Sequence, residues 1–264
     1  MRGTGPERHW TDAYYGALYL DSVADLLTPR LSAAEAELVA TLLRLAPGDR
    51  VLDVGCGHGR HVLPLAARGC AAVGLDRSAD YLARAAAAAR AGPAAPRAPT
   101  WVRGDLRALP FEDGAFDAAY SWYASLFVHD DAVNERALAE AARVVRRGGR
   151  VLVQHGNPLR LAAEPEASAT RTLADGSRVE ERSAWDAARG VDRCARRLVR
   201  PDGTVLAATA ELRYYSPPEW NALAARTGLR LAALTSTPGA AGGGPLVEPG
   251  PEAPDVIALL EKIA

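Results

Sequence analysis

The chain has 264 residues, a formal net charge of −1 and a hydrophobic content of 48%. That length suits one α/β domain with room for an insertion, and the near-neutral balance lacks the basic excess expected of a polyanion-binding protein. Basic side chains are almost all arginine, Lys262 being the one lysine, which reads as composition bias. The cysteines, Cys56, Cys70 and Cys194, are odd in number and lack C-x-x-C spacing. This argues against a disulfide frame or a zinc site and for a reducing, cytoplasmic setting. Met1–Trp10 lacks the apolar stretch of a signal peptide, and no apolar run is long enough to span a bilayer.

In chain order, residues 10–28 carry Trp10, Tyr14, Tyr15, Leu18, Tyr19, Val23, Leu26 and Leu27 at helical spacing. A second helix is predicted from Ser32 to Leu45, with Ser32 and Glu35 as a capping box and Pro47-Gly48 as its end. Arg50–Val54 is a short β-branched run entering a glycine-rich turn, the pattern of a buried parallel strand. A helix over 59–68, a strand over 71–76 and an alanine-rich helix over 79–91 follow, then a proline-rich loop over 92–99. Further strands are predicted at 100–102, 116–121 and 149–155. A helix over 131–145 precedes the last, closed by the basic residues and glycines of Arg146–Gly149.

This alternation predicts a doubly wound, mostly parallel seven-stranded sheet. After Asn157 the rhythm changes: residues 176–215 contain period-2 stretches, including 191–199 and 204–214, which are joined by a Pro201-Asp202-Gly203 turn and read as antiparallel strands. The segment 158–215 is expected to be an antiparallel insertion capping the sheet's ligand-binding edge. A helix from Pro217 with proline in its first turn, strands at 229–235 and 255–260, and a mobile Gly/Pro loop between them complete the chain. The expected organisation is a single domain: a helical lid over 1–45, a core over 46–157, the cap over 158–215 and a C-terminal part over 216–264.

The chemistry concentrates at Asp53-Val54-Gly55-Cys56-Gly57-His58-Gly59-Arg60, between a strand and a helix. Glycines let the backbone turn sharply and approach a ligand, and the helix N-terminus offers free N–H groups. A dinucleotide-binding turn would read G-x-G-x-x-G. Here the third glycine comes one residue early, Arg60 holds the dehydrogenase position, and Asp53 precedes the first glycine by two. These differences favour a sulfonium nucleoside over a pyrophosphate.

The D-x-G-x-G turn resembles the first motif of the class I S-adenosylmethionine-dependent methyltransferases, and four more segments match in order across residues 45–157. Asp76, closing Ala72–Asp76, resembles the residue that binds both ribose hydroxyls. Gly104–Phe111 resembles the third cofactor segment, in which Asp105 would accept from the adenine amino group and Leu106 would offer its N–H. Phe116–Ser121 matches the fourth strand, and Arg143–Gly149 matches the R-x-L-x-P-G-G turn, with Val145 for leucine and Arg147 for proline. The resemblance places Asp53, Gly55, Cys56, Gly57, His58, Asp76, Arg77, Asp105, Leu106 and Ser121 against the cofactor, with S-adenosylhomocysteine as the product. Tyr15 and Tyr19 either touch the cofactor or pack a lid.

In-line methyl transfer needs alignment and water exclusion, and an O- or C-nucleophile commonly needs a base. His129 and His155, beyond the fourth strand and ending the fifth, are the candidate catalytic residues, with a packing role as the alternative for each. His58 and His61 lack a third ligand at metal-site spacing. Ser121-Trp122-Tyr123-Ala124 departs from the proline-rich tetrapeptide of base-amine methyltransferases, so a small-molecule methyl acceptor is expected rather than nucleic acid. The arginines of the insertion either bind an anionic acceptor or cover solvated strand faces. A protein that binds the cofactor without methylating and a nicotinamide oxidoreductase are the alternatives, and a homodimer is the default assembly.

Overall fold

The computed structural model describes residues 10–23, 25–237 and 245–263. The N-terminal helical pattern is broken into α1 (Trp10–Tyr14) and α2 (Ala17–Val23). The break falls at Gly16, where a Cβ would lie 3.1 Å from the Asp12 carbonyl oxygen. Helix α3 (Pro29–Leu43) starts three residues before the expected cap. Thr28 is its N-cap, accepting from Leu31 N at 3.1 Å, and proline occupies the first turn. Arg44 ends the helix in a left-handed conformation. Glu35 is therefore free of the capping role predicted for it.

Strand β1 (Arg50–Val54), helix α4 (Val62–Ala67), strand β2 (Ala71–Asp76), helix α5 (Ala79–Ala91), strands β3 (Thr100–Arg103) and β4 (Phe116–Ser121), helix α6 (Asp131–Val144) and strand β5 (Val145–Gly156) form the predicted alternation. The Arg146–Gly149 segment belongs to β5 instead of capping α6. Helix α7 (Pro158–Ala163) and strand β6 (Glu166–Thr172) carry no clear period in the sequence and were not expected. Strands β7 (Arg178–Asp186), β8 (Val191–Val199) and β9 (Val205–Arg213) are the insertion's antiparallel ladder. Helix α8 (Pro217–Arg226) and strands β10 (Leu229–Thr235) and β11 (Asp255–Lys262) end the fold. Part of the predicted Gly/Pro loop, residues 238–244, lies outside the described residues, as does the N-terminal stretch read for a signal peptide.

The main sheet has seven strands in the order β10-β11-β5-β4-β1-β2-β3, and β6-β7-β8-β9 form a second sheet. Strands β1 to β5 are mutually parallel, and β11 is antiparallel to both its neighbours. Alternation along each strand sends side chains to two apolar layers. Leu52 and Val54 face the layer of Leu138, Trp220 and Leu223, whereas Val51 faces that of Val39, Leu65 and Leu82. Both faces are thus covered by helices, and ligand access is confined to the strand ends. The order reverses between β1 and β4, which makes the crevice at their carboxyl ends the site such sheets use.

Gly59 shows how tightly the first crossover is packed. Its φ is +78°, and a Cβ would lie 2.4 Å from the Trp101 ring. Gly59→Ala is expected to lower the unfolding free energy by about 2–4 kcal/mol, from left-handed strain plus overpacking. Gly148→Ala, at φ +71° with open space around it, should lose only the strain, about 1–2 kcal/mol. Urea unfolding checks both, and equal losses would refute the packing argument.

Candidate functional site

The turn after β1 is fastened to β2 by its backbone. Gly55 N and Cys56 N both donate to the Leu75 carbonyl, at 2.9 and 3.0 Å. Gly57 N donates to Asp76 Oδ2 at 2.8 Å, and Ser78 N donates to Asp76 Oδ1 at 2.8 Å. Gly55 needs φ +82°, and a Cβ there would meet Ser125 Cβ at 2.6 Å. The loop after β4 therefore presses on the turn from the other side.

A cavity of about 810 Å³ opens over this turn. All of the sequence-predicted cofactor residues except Ser121 line it: Tyr15, Tyr19, Asp53, Gly55, Cys56, Gly57, His58, Asp76, Arg77, Asp105 and Leu106. Ser121 is buried within β4 and lines neither cavity of the site, which corrects its assignment to the pocket. Asp105 is half-exposed and forms a salt bridge of 2.5 Å with Arg107. The Arg107 hydrogen bonds hold its carboxyl down at about 2, and an ionised carboxylate keeps lone pairs free for a further donor.

Two carboxylates largely withdrawn from water, Asp53 and Glu35, have opposite fates. Asp53 is 4% exposed and accepts a single hydroxyl, Tyr120 OH, at 2.9 Å. Burial pushes its pKa up to about 7, against the Tyr120 hydrogen bond and the Arg60 charge. Glu35, on α3, lies behind the wall formed by Arg60, His61, Trp122 and Tyr123. It accepts from Arg60 Nη1, His61 Nε2 (3.0 Å), Trp122 Nε1 (3.2 Å) and Tyr123 OH (3.1 Å). Burial opposes ionisation here too, but the hydrogen bond from His61 and the Arg60 guanidinium prevail and bring Glu35 down to about 2. His61 is spent on this bond, and burial holds its pKa down at about 4.

A second cavity, of about 770 Å³, lies between the α6 end of the core and the insertion. It is walled by Trp10, Trp185, Tyr214, Asp131, Arg213 and Glu219. The two cavities share Val128 and His129. His129 is held by its backbone: Asn134 Oδ1 accepts from His129 N at 3.1 Å and Asn134 Nδ2 donates to His129 O at 2.8 Å. Asn134 is fully buried and also donates to Tyr215 OH, which in turn donates to Asp131 at 2.9 Å.

His155 is not brought to either cavity, which corrects the expectation of a catalytic role. It is fully buried, stacked between Tyr214 and Trp220 with interplanar angles of 7° on each side. Its Nε2 accepts from Trp220 Nε1 at 2.9 Å, and its Nδ1 is 2.6 Å from the Gly156 carbonyl, leaving no nitrogen for chemistry. Burial lowers its pKa to about 4, so the ring is a neutral packing element.

Tyr14, Tyr15 and Tyr19 pack edge-on or tilted against one another, with centroids 5.2–6.4 Å apart. Arg196 of β8 lies over the Tyr14 and Tyr19 rings at 5.1 and 5.3 Å. The N-terminal segment is tied to the insertion by Arg200–Asp21 and Arg171–Asp25. It is tied to the cofactor strand by Arg77–Asp12 and by Tyr81 OH donating to Gly16 O at 2.9 Å. Within the insertion, Arg178 and Arg197 pair with Glu180, Arg193 with Glu211 and Arg196 with Glu181.

Glu35, Arg60, Trp122 and Tyr123 went unassigned in the sequence. Tyr123 and Ala124 both have φ near +56°, unusual for side-chain-bearing residues, and the pair is held by Gln154 through Tyr123 N and Ala124 N. Such strain concentrates at ligand sites, but nothing in the local sequence announces it. The residues present suit S-adenosylmethionine. A turn with glycine at residues 55, 57 and 59 lets its backbone approach the nucleoside, and the Asp76 carboxylate stands at the strand end. Aromatic faces at Tyr15, Tyr19 and Tyr81 suit a sulfonium cation.

Residues 51–149 match the family model described as a methyltransferase domain. A demethylmenaquinone methyltransferase of Mycolicibacterium vanbaalenii is 40% identical over 111 residues, covering 42% of this chain and 43% of that protein. The matched segment thus spans less than half the length of such curated relatives. The CcbJ methyltransferase from Streptomyces caelestis superposes with a TM-score of 0.79 at 21% identity, covering 96% of this chain and 99% of that one. The glycopeptide N-methyltransferase MtfA, solved with S-adenosylmethionine, gives a TM-score of 0.61 at 21% identity, covering 87% and 93%. These two likenesses establish the shared fold across both sheets. Residues 51–149 are thus similar to a methyltransferase domain, and the whole chain shares the fold of these solved methyltransferases.

Proposed function

We propose that the whole chain transfers a methyl group from S-adenosylmethionine to an O, N or C nucleophile of a small molecule seated in the second cavity. The observation that carries this reading is the meeting of the two cavities at Val128 and His129. A nucleoside on the glycine turn and an acceptor against Trp10 and Trp185 would face each other there. Asp105 and Leu106 hold the adenine end, Asp76 the ribose hydroxyls, and Tyr15 and Tyr19 cover the ligand from the lid. The cofactor, when bound, supplies an electrophilic methyl on sulfur. The protein's part is to align the acceptor, exclude water and take up its proton.

His129 is the group assigned to the proton. Its backbone is clamped by Asn134, so the imidazole is presented at the junction from a fixed point. The second cavity, with its mixed aromatic and charged walls, is of a size for a small-molecule acceptor, and a role in natural-product biosynthesis is part of this reading. No described helix is long and apolar enough to cross a membrane.

Two measurements test the reading. His129→Gln should lower kcat by about 10²-fold or more while S-adenosylhomocysteine affinity stays near the parent's. The assay follows S-adenosylhomocysteine release against a panel of small amines, phenols and alcohols, and full turnover by the variant refutes the base. The second concerns Asp53, whose pKa lies near 7. A ligand carrying an α-ammonium binds the ionised carboxylate better than the neutral one. Affinity for S-adenosylhomocysteine should therefore rise as pH climbs toward about 7, by up to about tenfold per pH unit, and level off above it. Asp53→Asn, which keeps an acceptor for Tyr120, should flatten the profile in calorimetric titrations. A flat profile in the parent would refute the assignment.

A further inference from the structure

Arg213 closes β9 at the wall of the second cavity, with only 8% of its surface exposed. All three of its side-chain nitrogens are engaged. Nε donates to Asp131 Oδ1 at 2.9 Å, Nη1 to the carbonyls of Tyr214 and Gly190, and Nη2 to Glu219 Oε1. The guanidinium also lies over the Tyr215 ring at 4.2 Å. A guanidinium occupied in this way keeps no nitrogen without a partner, so anion binding does not account for its place in the wall. Its partners share a position instead. Asp131 opens α6, Glu219 closes the capping box of α8, and Gly190 ends the turn between β7 and β8. The fit at that turn is close: Gly190 has φ +63°, and a Cβ there would clash with Arg213 Nη1.

From Asp131 the hydrogen bonds continue to the loop of His129. Asp131 Oδ1 also accepts from Tyr215 OH at 2.9 Å, and Tyr215 OH accepts from Asn134 Nδ2 at 3.3 Å. Asn134 is fully buried and holds both backbone groups of His129, accepting from its N–H and donating to its carbonyl. Asp131 and Asn134 stand three residues apart on α6, so one helix face carries both links. Strand β9 also reaches the loop directly, because Arg213 N donates to Phe127 O at 3.1 Å. Tyr215 lines neither cavity. Its ring packs against Phe127 and Trp220, with centroids 4.8 and 5.9 Å away, and this fixes the hydroxyl that joins the two halves of the chain of bonds.

We infer that Arg213 and Tyr215 are positioning residues for methyl transfer. Arg213 holds the β7–β8 turn, α6 and α8 around the acceptor cavity. Tyr215 carries that fixed geometry through Asn134 to the backbone of His129. The place of the base is thereby tied to the shape of the cavity that presents the acceptor, which is the alignment in-line transfer requires. Neither side chain takes up a proton. The inference rests on the reading of His129 and the second cavity given above, and it extends the machinery to residues 213 and 215, outside the segment that matches the methyltransferase model.

The test asks whether each residue acts through His129. Arg213→Gln, Arg213→Lys, Tyr215→Phe, His129→Gln and Tyr215→Phe/His129→Gln are assayed on the acceptor that the parent turns over fastest among small amines, phenols and alcohols. Arg226→Gln, which breaks an α8–α6 ion pair away from both cavities, is the control and should match the parent. Tyr215→Phe should lower kcat about 10-fold and leave the acceptor KM within about twofold, because its ring lines no cavity. Arg213→Gln should lower kcat and raise KM, each about 10-fold, and Arg213→Lys should recover part of both. In the His129→Gln background Tyr215→Phe should cost nothing further, the mark of groups acting as one unit. S-adenosylhomocysteine affinity should stay at the parent's value throughout. Hydrogen exchange gives a readout that needs no acceptor. Residues 124–134 and 186–191 should exchange about 10-fold faster in Arg213→Gln, and only 124–134 in Tyr215→Phe, with 51–76 unchanged in both. A full multiplicative loss in the double variant, equal weakening of S-adenosylhomocysteine and acceptor, or a uniform rise in exchange would overturn the proposal and leave a general stabilising role. If no acceptor turns over, the exchange pattern alone decides. If Arg213→Gln does not fold, Arg213→Lys and Tyr215→Phe carry the same comparison. A parent that binds no S-adenosylhomocysteine, or a His129→Gln variant with full turnover, overturns the underlying reading itself, a result distinct from failure at residues 213 and 215.

Discussion

The site depends on how closely the backbone after β1 can approach β2. Two amides of the turn converge on one carbonyl, Leu75 O, and a third reaches the Asp76 carboxylate. That approach leaves no room for a Cβ at Gly55 or Gly59, which meet Ser125 and Trp101. The strand carrying Asp76 and the loop carrying Ser125 are thereby held at fixed distances from one turn. The cavity floor is set by backbone hydrogen bonds, and side chains only line it.

The lid and the insertion answer a different constraint. A sheet covered by helices on both faces leaves its carboxyl edge open, and methyl transfer to a small molecule requires that edge to be closed to water. Helices α1 and α2 are too short to be stable alone. Their hold on the protein comes from outside: ion pairs from Arg171 and Arg200, the Arg196 guanidinium over two tyrosine rings, and Arg77 and Tyr81 from the core. Most insertion arginines are accounted for by these contacts and by pairing along the strands.

The parallel core and the residues that line the first cavity were legible because each depends on local pattern. Glycines at a strand end, an acidic residue closing the next strand, and periods of two and 3.6 are all written within a few residues. What was illegible depends on partners far apart in the chain. Glu35 reads as a capping-box residue beside Ser32, but the helix begins at Pro29 and the carboxylate instead gathers donors from residues 60, 61, 122 and 123. His155 reads as a catalytic candidate at a strand end, yet its ring nitrogens are claimed by Trp220 and the Gly156 carbonyl. The N-terminal helix broke at a glycine whose cost the apolar period concealed.

The contrast between Asp53 and Glu35 explains why the cavity suits a zwitterion better than a simple cation or anion. Both carboxylates are removed from water, so each pays for desolvation unless donors replace the lost hydration. Glu35 has four donors, two of them from the Arg60–His61 pair, and is ionised at neutral pH. Asp53 has one hydroxyl and stands near its midpoint, while Arg60 lends half its guanidinium to Glu35 and keeps the other half unmet. Adding an ammonium alone would relieve Asp53 and leave Arg60 Nη2 buried without an acceptor. Adding a carboxylate alone would satisfy Arg60 and, by repulsion, drive Asp53 further toward its neutral form. A ligand bearing an ammonium and a carboxylate on one carbon would relieve both costs at once, because both arise from the incomplete solvation of buried groups.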